Sequence, residues 1–253
     1  MNDFAIMATI GLVLIALLSS YLGSIVVRQR RTPLDLRPLP GYAVLPRLLD
    51  ASVESDRPAH ISLGAASIGD QGTGAALAAA EITYYLTRRL SFERRLPLIT
   101  TSDPLTLLVA TDTLRRAYIA RDNLDAFRPN AIAWYPQGER SLAFAAGVSS
   151  LAASEQSTAH LLLGTYGAEL ALIGESAARH RQQMVANSTL LEGQAVAYAM
   201  ADETLIGEEL FVGSAYLDRD NVLHMSTLIA QDTLRWVVIA GILIAILVNL
   251  VTT

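Results

Sequence analysis

Two long apolar runs bracket the chain, and between them apolar residues recur in short bursts separated by helical patterns. From Phe4 to Val27 the sequence FAIMATIGLVLIALLSSYLGSIVV carries no formal charge. A helix of that length, at about 1.5 Å per residue, exceeds a hydrocarbon core of about 30 Å, so the run predicts a membrane-spanning helix. The second run, Trp236 to Val251, reads WVVIAGILIAILVNLV. It is shorter, but it is apolar on every side, as a buried core helix rarely is. Trp236 stands where an interfacial aromatic belongs and Arg235 lies on the flank. Residues Asn221 to Arg235 read as a helix continuous with this span, with Asp232 and Arg235 placed to pair at i,i+3. Within the first span Ser19 and Gly23 form a small-xxx-small pair that lets two helices approach closely.

The interior of the chain alternates. Strands are predicted at His60–Ala66, Leu96–Thr101, Ala131–Tyr135, His160–Gly164 and Gln183–Asn187, where short apolar or β-branched runs end in turn residues. Helical periodicity follows each of them, over Gly74–Leu90, Pro104–Ala120, Ser141–Ser154, Tyr166–Arg179 and Thr189–Ala201, with a last helical segment at Glu208–Leu217. Ser102 and Asp103 precede Pro104, which is the pattern of an N-cap followed by proline in the first turn. Leu142–Val148 reads alternatively as an edge strand, and Thr204–Gly207 as a sixth strand. Strands alternating with helices of this length imply βαβ crossovers and a mostly parallel sheet covered on both faces. The expected class is therefore α/β, Rossmann-like, with one transmembrane helix at each end.

This organisation divides the chain into residues 1–31 (first helix and basic flank), 32–56, 57–220 (the α/β domain) and 221–253 (the second helix, including the span at 236–251). Residues 32–56 contain Pro33, Pro38, Pro40 and Pro46 and predict an extended linker. The positive charges nearest the first span, Arg28, Arg30 and Arg31, come after it rather than before it, which predicts a retained anchor and not a cleaved signal peptide. By the positive-inside rule these arginines hold the domain in the cytoplasm, so a two-pass protein of the inner membrane with both termini outside is expected.

Charge narrows the choice of partners. The net charge is −5 and the pI about 5.4, and the basic clusters are short. Nucleic-acid binding needs a clustered positive surface, so it is not expected. There are no cysteines, which removes disulfides, thiolate metal sites and a cysteine nucleophile. His60, His160, His180 and His224 lack helical metal-ligand spacing, and no G-x-S-x-G elbow occurs. No cofactor is expected.

Candidate chemistry lies in the loops after the strands, which converge on the usual ligand crevice of an open parallel sheet. Residues 67–74, SIGDQGTG, follow the first strand and open a helix, so Gly72, Thr73 and Gly74 could cradle a phosphate or carboxylate. The spacing is G-x-x-G-x-G, not the G-x-G-x-x-G of a dinucleotide fingerprint, and no Lys-Ser/Thr pair completes a phosphate loop. Glycines are needed at such a turn in any case. Ser102 in the next loop and Arg140 in the third complete a candidate site for a small anionic ligand, with Arg140 as counter-charge. Glu169 and Glu175 lie in apolar surroundings, where burial could fit a carboxylate for acid–base work. They are six residues apart and point to different faces of one helix.

The segments GTYGAELALIGE, ADETLIGEELFVGSAYL and LIAQDTLRW resemble a family of prokaryotic membrane proteins known as a domain of unknown function. The resemblance extends over most of the chain from Arg57 onward and includes Gly164, Gly167, Glu169, Glu175, Gly207, Glu208, Glu209 and Asp232. It implies a membrane-tethered α/β domain and assigns no catalytic residue. Three functions fit the sequence: a non-enzymatic, membrane-anchored homo-oligomeric scaffold; a sensor of a small anionic metabolite or nucleotide at Gly72, Thr73, Gly74, Ser102 and Arg140; or a membrane-proximal enzyme using Glu169 or Glu175. The first is favoured because no catalytic constellation is recognisable and anchors confine subunits to a plane, which raises their effective concentration.

Overall fold

The computed structural model describes residues 3–29, 36–91, 93, 95–137 and 142–252. The chain forms two compact units, one made of its two ends and the other of Pro38–Leu217.

The end unit consists of helix α1 (Asp3–Gln29) and, from the far end of the sequence, the long terminal helix at Val222–Thr252. They pack antiparallel, late residues of one against early residues of the other. Gly23 makes this possible: a Cβ there would lie 3.2 Å from the carbonyl of Ser226 and 3.3 Å from the Ile229 side chain. The outward residues are apolar, with Leu14, Leu17, Leu18 and Tyr21 exposed on one helix and Trp236, Ile242, Leu243 and Ile246 on the other. Among the described residues one stretch, Val222–Leu243, is long and apolar enough to cross a membrane, whereas the apolar part of α1, Ile10–Ile25, is shorter. One such helix is thus found, not one at each end, and it begins well before the expected Trp236. Asp232 and Arg235 face each other at 4.0 Å.

The central unit opens with α2 (Pro40–Glu54), where the prolines predict an extended linker. Pro40 occupies the first turn, where no hydrogen bond is lost, and Pro46 lies on the exposed side, so the helix gives up about one hydrogen bond. Burial of Tyr42, Leu45, Leu48 and Leu49 along one face outweighs that loss. The rest follows the alternation: β1 (His60–Gly64), α3 (Thr73–Leu90), β2 (Leu98–Thr101), α4 (Pro104–Ile119), β3 (Ile132–Trp134), α5 (Leu142–Ser154), β4 (Ala159–Thr165), α6 (Leu170–Arg179), β5 (Gln183–Ala186), α7 (Leu191–Met200), β6 (Glu203–Thr204) and α8 (Gly213–Leu217). The terminal helix is α9. Asp103 caps α4 through a bond from Thr106 N–H at 2.6 Å. Leu142–Val148 is helical, and β6 is a two-residue strand. The segment after β6 is a 3₁₀ turn, Gly207–Val212, before α8.

All six strands are parallel, in the order β3-β2-β1-β4-β5-β6. Alternate strand residues feed two cores. Ile61, Leu63, Leu161 and Val185 pack with α2, α3 and α4, while Leu162, Met184 and Ala186 pack with α5, α6 and α7. The order reverses between β1 and β4, which is the switch point where such sheets usually open a ligand crevice.

Candidate functional site

At the carboxyl ends of β1 and β4 the two strands stay joined instead of splaying. Ala65 N–H donates to the carbonyl of Thr165 at 2.8 Å. Gly64 has φ +60° and Gly164 φ +137°, and a side chain on either would strike the backbone of the other strand. Tyr166, directly after β4, lies against Gly64 and packs into the core with Phe144, Leu170 and Ile173. It is fully buried, its O–H donates to the carbonyl of Ser62 at 2.8 Å, and its N–H donates to Ser188 Oγ at 3.1 Å. Burial pushes its phenol well above the ordinary tyrosine range. The strand ends at the switch point are thus held together by the protein's own groups.

The glycine-rich turn is likewise closed on itself. Gly72 N–H donates to Asp70 Oδ1 at 2.6 Å and Gly69 N–H to Thr73 Oγ1 at 2.9 Å. Thr73 O–H donates to the carbonyl of Asp70 at 2.8 Å. The Asp70 carboxylate is thus bonded within the turn just ahead of α3 and puts a negative charge near the helix start. Gly74 has Phe211 as its neighbour: a Cβ there would lie 3.5 Å from that ring. Ser102 is buried, with its N–H and O–H both directed at the carbonyl of Gly64 (2.9 and 3.2 Å) and Gln137 Oε1 at 3.4 Å. Its bonds go to these partners rather than to the Gly72–Gly74 turn. Arg140 lies outside the described residues.

Of the two carboxylates singled out in the sequence, Glu175 is exposed and pairs with Arg179 at 2.7 Å. Glu169 is only 7 % exposed and accepts from Gly167 N–H at 2.8 Å. A second carboxylate, Glu192, joins it: a Cβ on Gly167 would lie 2.7 Å from an oxygen of each. The pairing joins the residue before α6 to the first turn of α7 and has no sequence spacing of its own. Among the described residues no group of three or more potential metal ligands assembles.

A second cluster, at the opposite end of the sheet, has no signature in the sequence. His60 and His160 are paired in register on β1 and β4, both buried, with their Nδ1 atoms 3.0 Å apart. The ends of the cluster set its protons. The carbonyl of Ser157 can only accept, so Gln182 gives it an N–H at 2.7 Å and turns Oε1 to His160. His160 Nε2–H then donates to that oxygen at 2.8 Å, and its Nδ1 accepts from His60 Nδ1–H. His60 Nε2 in turn accepts from the Thr100 hydroxyl at 2.9 Å. Both rings are neutral, their pKa values lowered first by burial. For His60 the neighbouring His160 adds to this, and for His160 the bond to Gln182 partly opposes it. Near Gln182 a shallow cleft of about 270 Å³ lies between Gly174, Arg181, Met184, Met200 and Asp202.

Fold and site together define a doubly wound α/β domain of Rossmann strand order whose strand ends stay joined at the switch point, carried on the same chain as a pair of apolar helices. The chain belongs to the family described as Domain of unknown function (DUF6754), whose model matches residues 2–253. No curated protein and no solved structure matches it.

Proposed function

We propose that this protein is a membrane-anchored, homo-oligomeric assembly module whose α/β domain serves as a structural body rather than a catalyst. The observation that supports this reading is the joined switch point, where Ala65 N–H bonds the carbonyl of Thr165 and Tyr166 is spent on the core beneath the strand ends. Asp70 at the start of α3 adds to it by repelling anions from the glycine-rich turn. In this reading α1 and α9 both cross the inner membrane. Arg28, Arg30, Arg31 and Arg235 stay on the cytoplasmic side, both termini lie outside and the domain is cytoplasmic. The outward apolar residues of both helices support that arrangement. Native mass spectrometry and negative-stain images of the full-length protein in mild detergent test it. Symmetric particles of several copies are expected, and a monodisperse monomer removes the reading.

One observation favours a second reading, a ligand or acid–base role at the strand ends: the convergence of Glu169 and Glu192 over Gly167. Nucleotides, small carboxylic acids and divalent cations, tested by thermal shift on the full-length protein, separate the two. A scaffold shows no shift with any of them, whereas a saturable shift lost in Glu169→Gln supports the second reading.

A further inference from the structure

The two edges of the sheet carry exposed helix faces of different character. At the β6 edge α7 buries only Gly193 and Ala197. Leu191, Ala195 and Tyr198, spaced i, i+4 and i+7, form one outward stripe, with Leu191 87 % and Tyr198 73 % exposed. Large apolar side chains aligned like this are costly to leave in water. The charges flanking it are mainly acidic: Glu192 lies in its first turn and Asp202 and Glu203 follow its last, against Arg181 in the cleft beside Met200.

At the β3 edge α4 presents the complementary stripe. Leu105, Leu108 and Ile119 lie on its outward face, Leu108 being 65 % exposed. Asp112, Arg115 and Arg116 share that face, all exposed. Arg116 neutralises Asp112 at 2.9 Å, which leaves the positive charge of Arg115 in excess.

These two faces select their occupant. Packing α7 on α7 of another copy would bring acidic surroundings together, and packing α4 on α4 would oppose arginines. Packing α4 on α7 joins apolar to apolar and basic to acidic. The faces lie at opposite edges of one sheet, so the same contact can be repeated from copy to copy.

We infer that the α4 face of one copy docks on the α7 face of the next, a head-to-tail interface that propagates the α/β domain into a ring or row. This rests on the assembly reading above and names its interface. Such heterologous contacts close into rings when the rotation allows and otherwise extend.

The test uses two full-length variants in detergent, Leu108→Asp and Tyr198→Asp, each at an exposed position and each checked for an unchanged melting temperature. Native mass spectrometry is expected to show monomers for each variant alone. The equimolar mixture is expected to give a heterodimer with one copy of each, because Leu108→Asp retains a working α7 face and Tyr198→Asp a working α4 face. Arg115→Glu offers an independent, milder variant and is expected to raise the concentration for half-assembly about tenfold. Wild-type assembly by both aspartate variants overturns the proposal while leaving the assembly reading intact. Monomers alone but no heterodimer on mixing overturn the head-to-tail geometry. A monomeric unmodified chain removes the assembly reading and this proposal with it.

Discussion

Tyr166 and Gly64 pack together beneath strand ends that stay joined at the switch point. Replacing the tyrosine with phenylalanine removes the bond to Ser62 and is expected to cost about 1 kcal/mol, while alanine leaves a cavity beneath the strand ends at about 3–5 kcal/mol. Denaturant titration measures both, and an alanine variant as stable as the parent would contradict that packing. The histidine pair makes a different prediction. Both folded pKa values are lowered, so between those values and about 6.5 the unfolded chain binds protons that the folded chain does not. Stability is therefore flat above about pH 6.5 and falls as the pH drops below it, by up to about 1.4 kcal/mol per unit for each ring. His180 adds to the repulsion around His160. Melting followed from pH 8 to 5 should show a slope that a His60→Asn/His160→Asn variant flattens, and equal slopes would contradict the neutral pair. Neither feature was legible in the sequence. His60 and His160 are 100 residues apart and meet only through strand pairing, and Tyr166 reads as an ordinary apolar residue until β1 and β4 are known to be neighbours.

At the level of elements, the alternation of short strands and helices was legible almost throughout, because strands buried on both faces read as short continuous apolar runs bounded by turn residues, set apart by length from the 3.6-period helices between them. The exception is α2. Its apolar residues repeat at helical spacing, but two prolines inside the helix and two before it outweigh that repeat when read alone. The structure makes α2 part of the domain: Tyr42 stacks on Tyr216 with ring centroids 5.3 Å apart, and its O–H donates to the carbonyl of Glu209 at 2.7 Å. A fragment of residues 38–217 is thus expected to unfold cooperatively, while one that starts at Arg57 exposes the core face of α2's partners and aggregates or melts broadly. Within the full chain Leu48→Ala is expected to cost about 2–5 kcal/mol. Equal calorimetric transitions for the two fragments would show α2 to be dispensable. The candidate ligand loop illustrates the limit of motif reading: Gly72, Thr73 and Gly74 do open a helix after a strand, but the turn bonds to itself through Asp70 and Thr73.

For the whole molecule, the proposed assembly gives the two unlike apolar faces of the α/β body a use, in holding copies side by side in a plane. In that proposal, confinement by the helices raises the local concentration, so an interface of modest intrinsic strength suffices. The most direct measurement is the copy number of fluorescently labelled full-length protein in the membrane, counted by single-molecule photobleaching at low expression. The assembly account predicts spots that bleach in several steps, with one dominant copy number. Spots that bleach in a single step, at the same labelling efficiency, would contradict it.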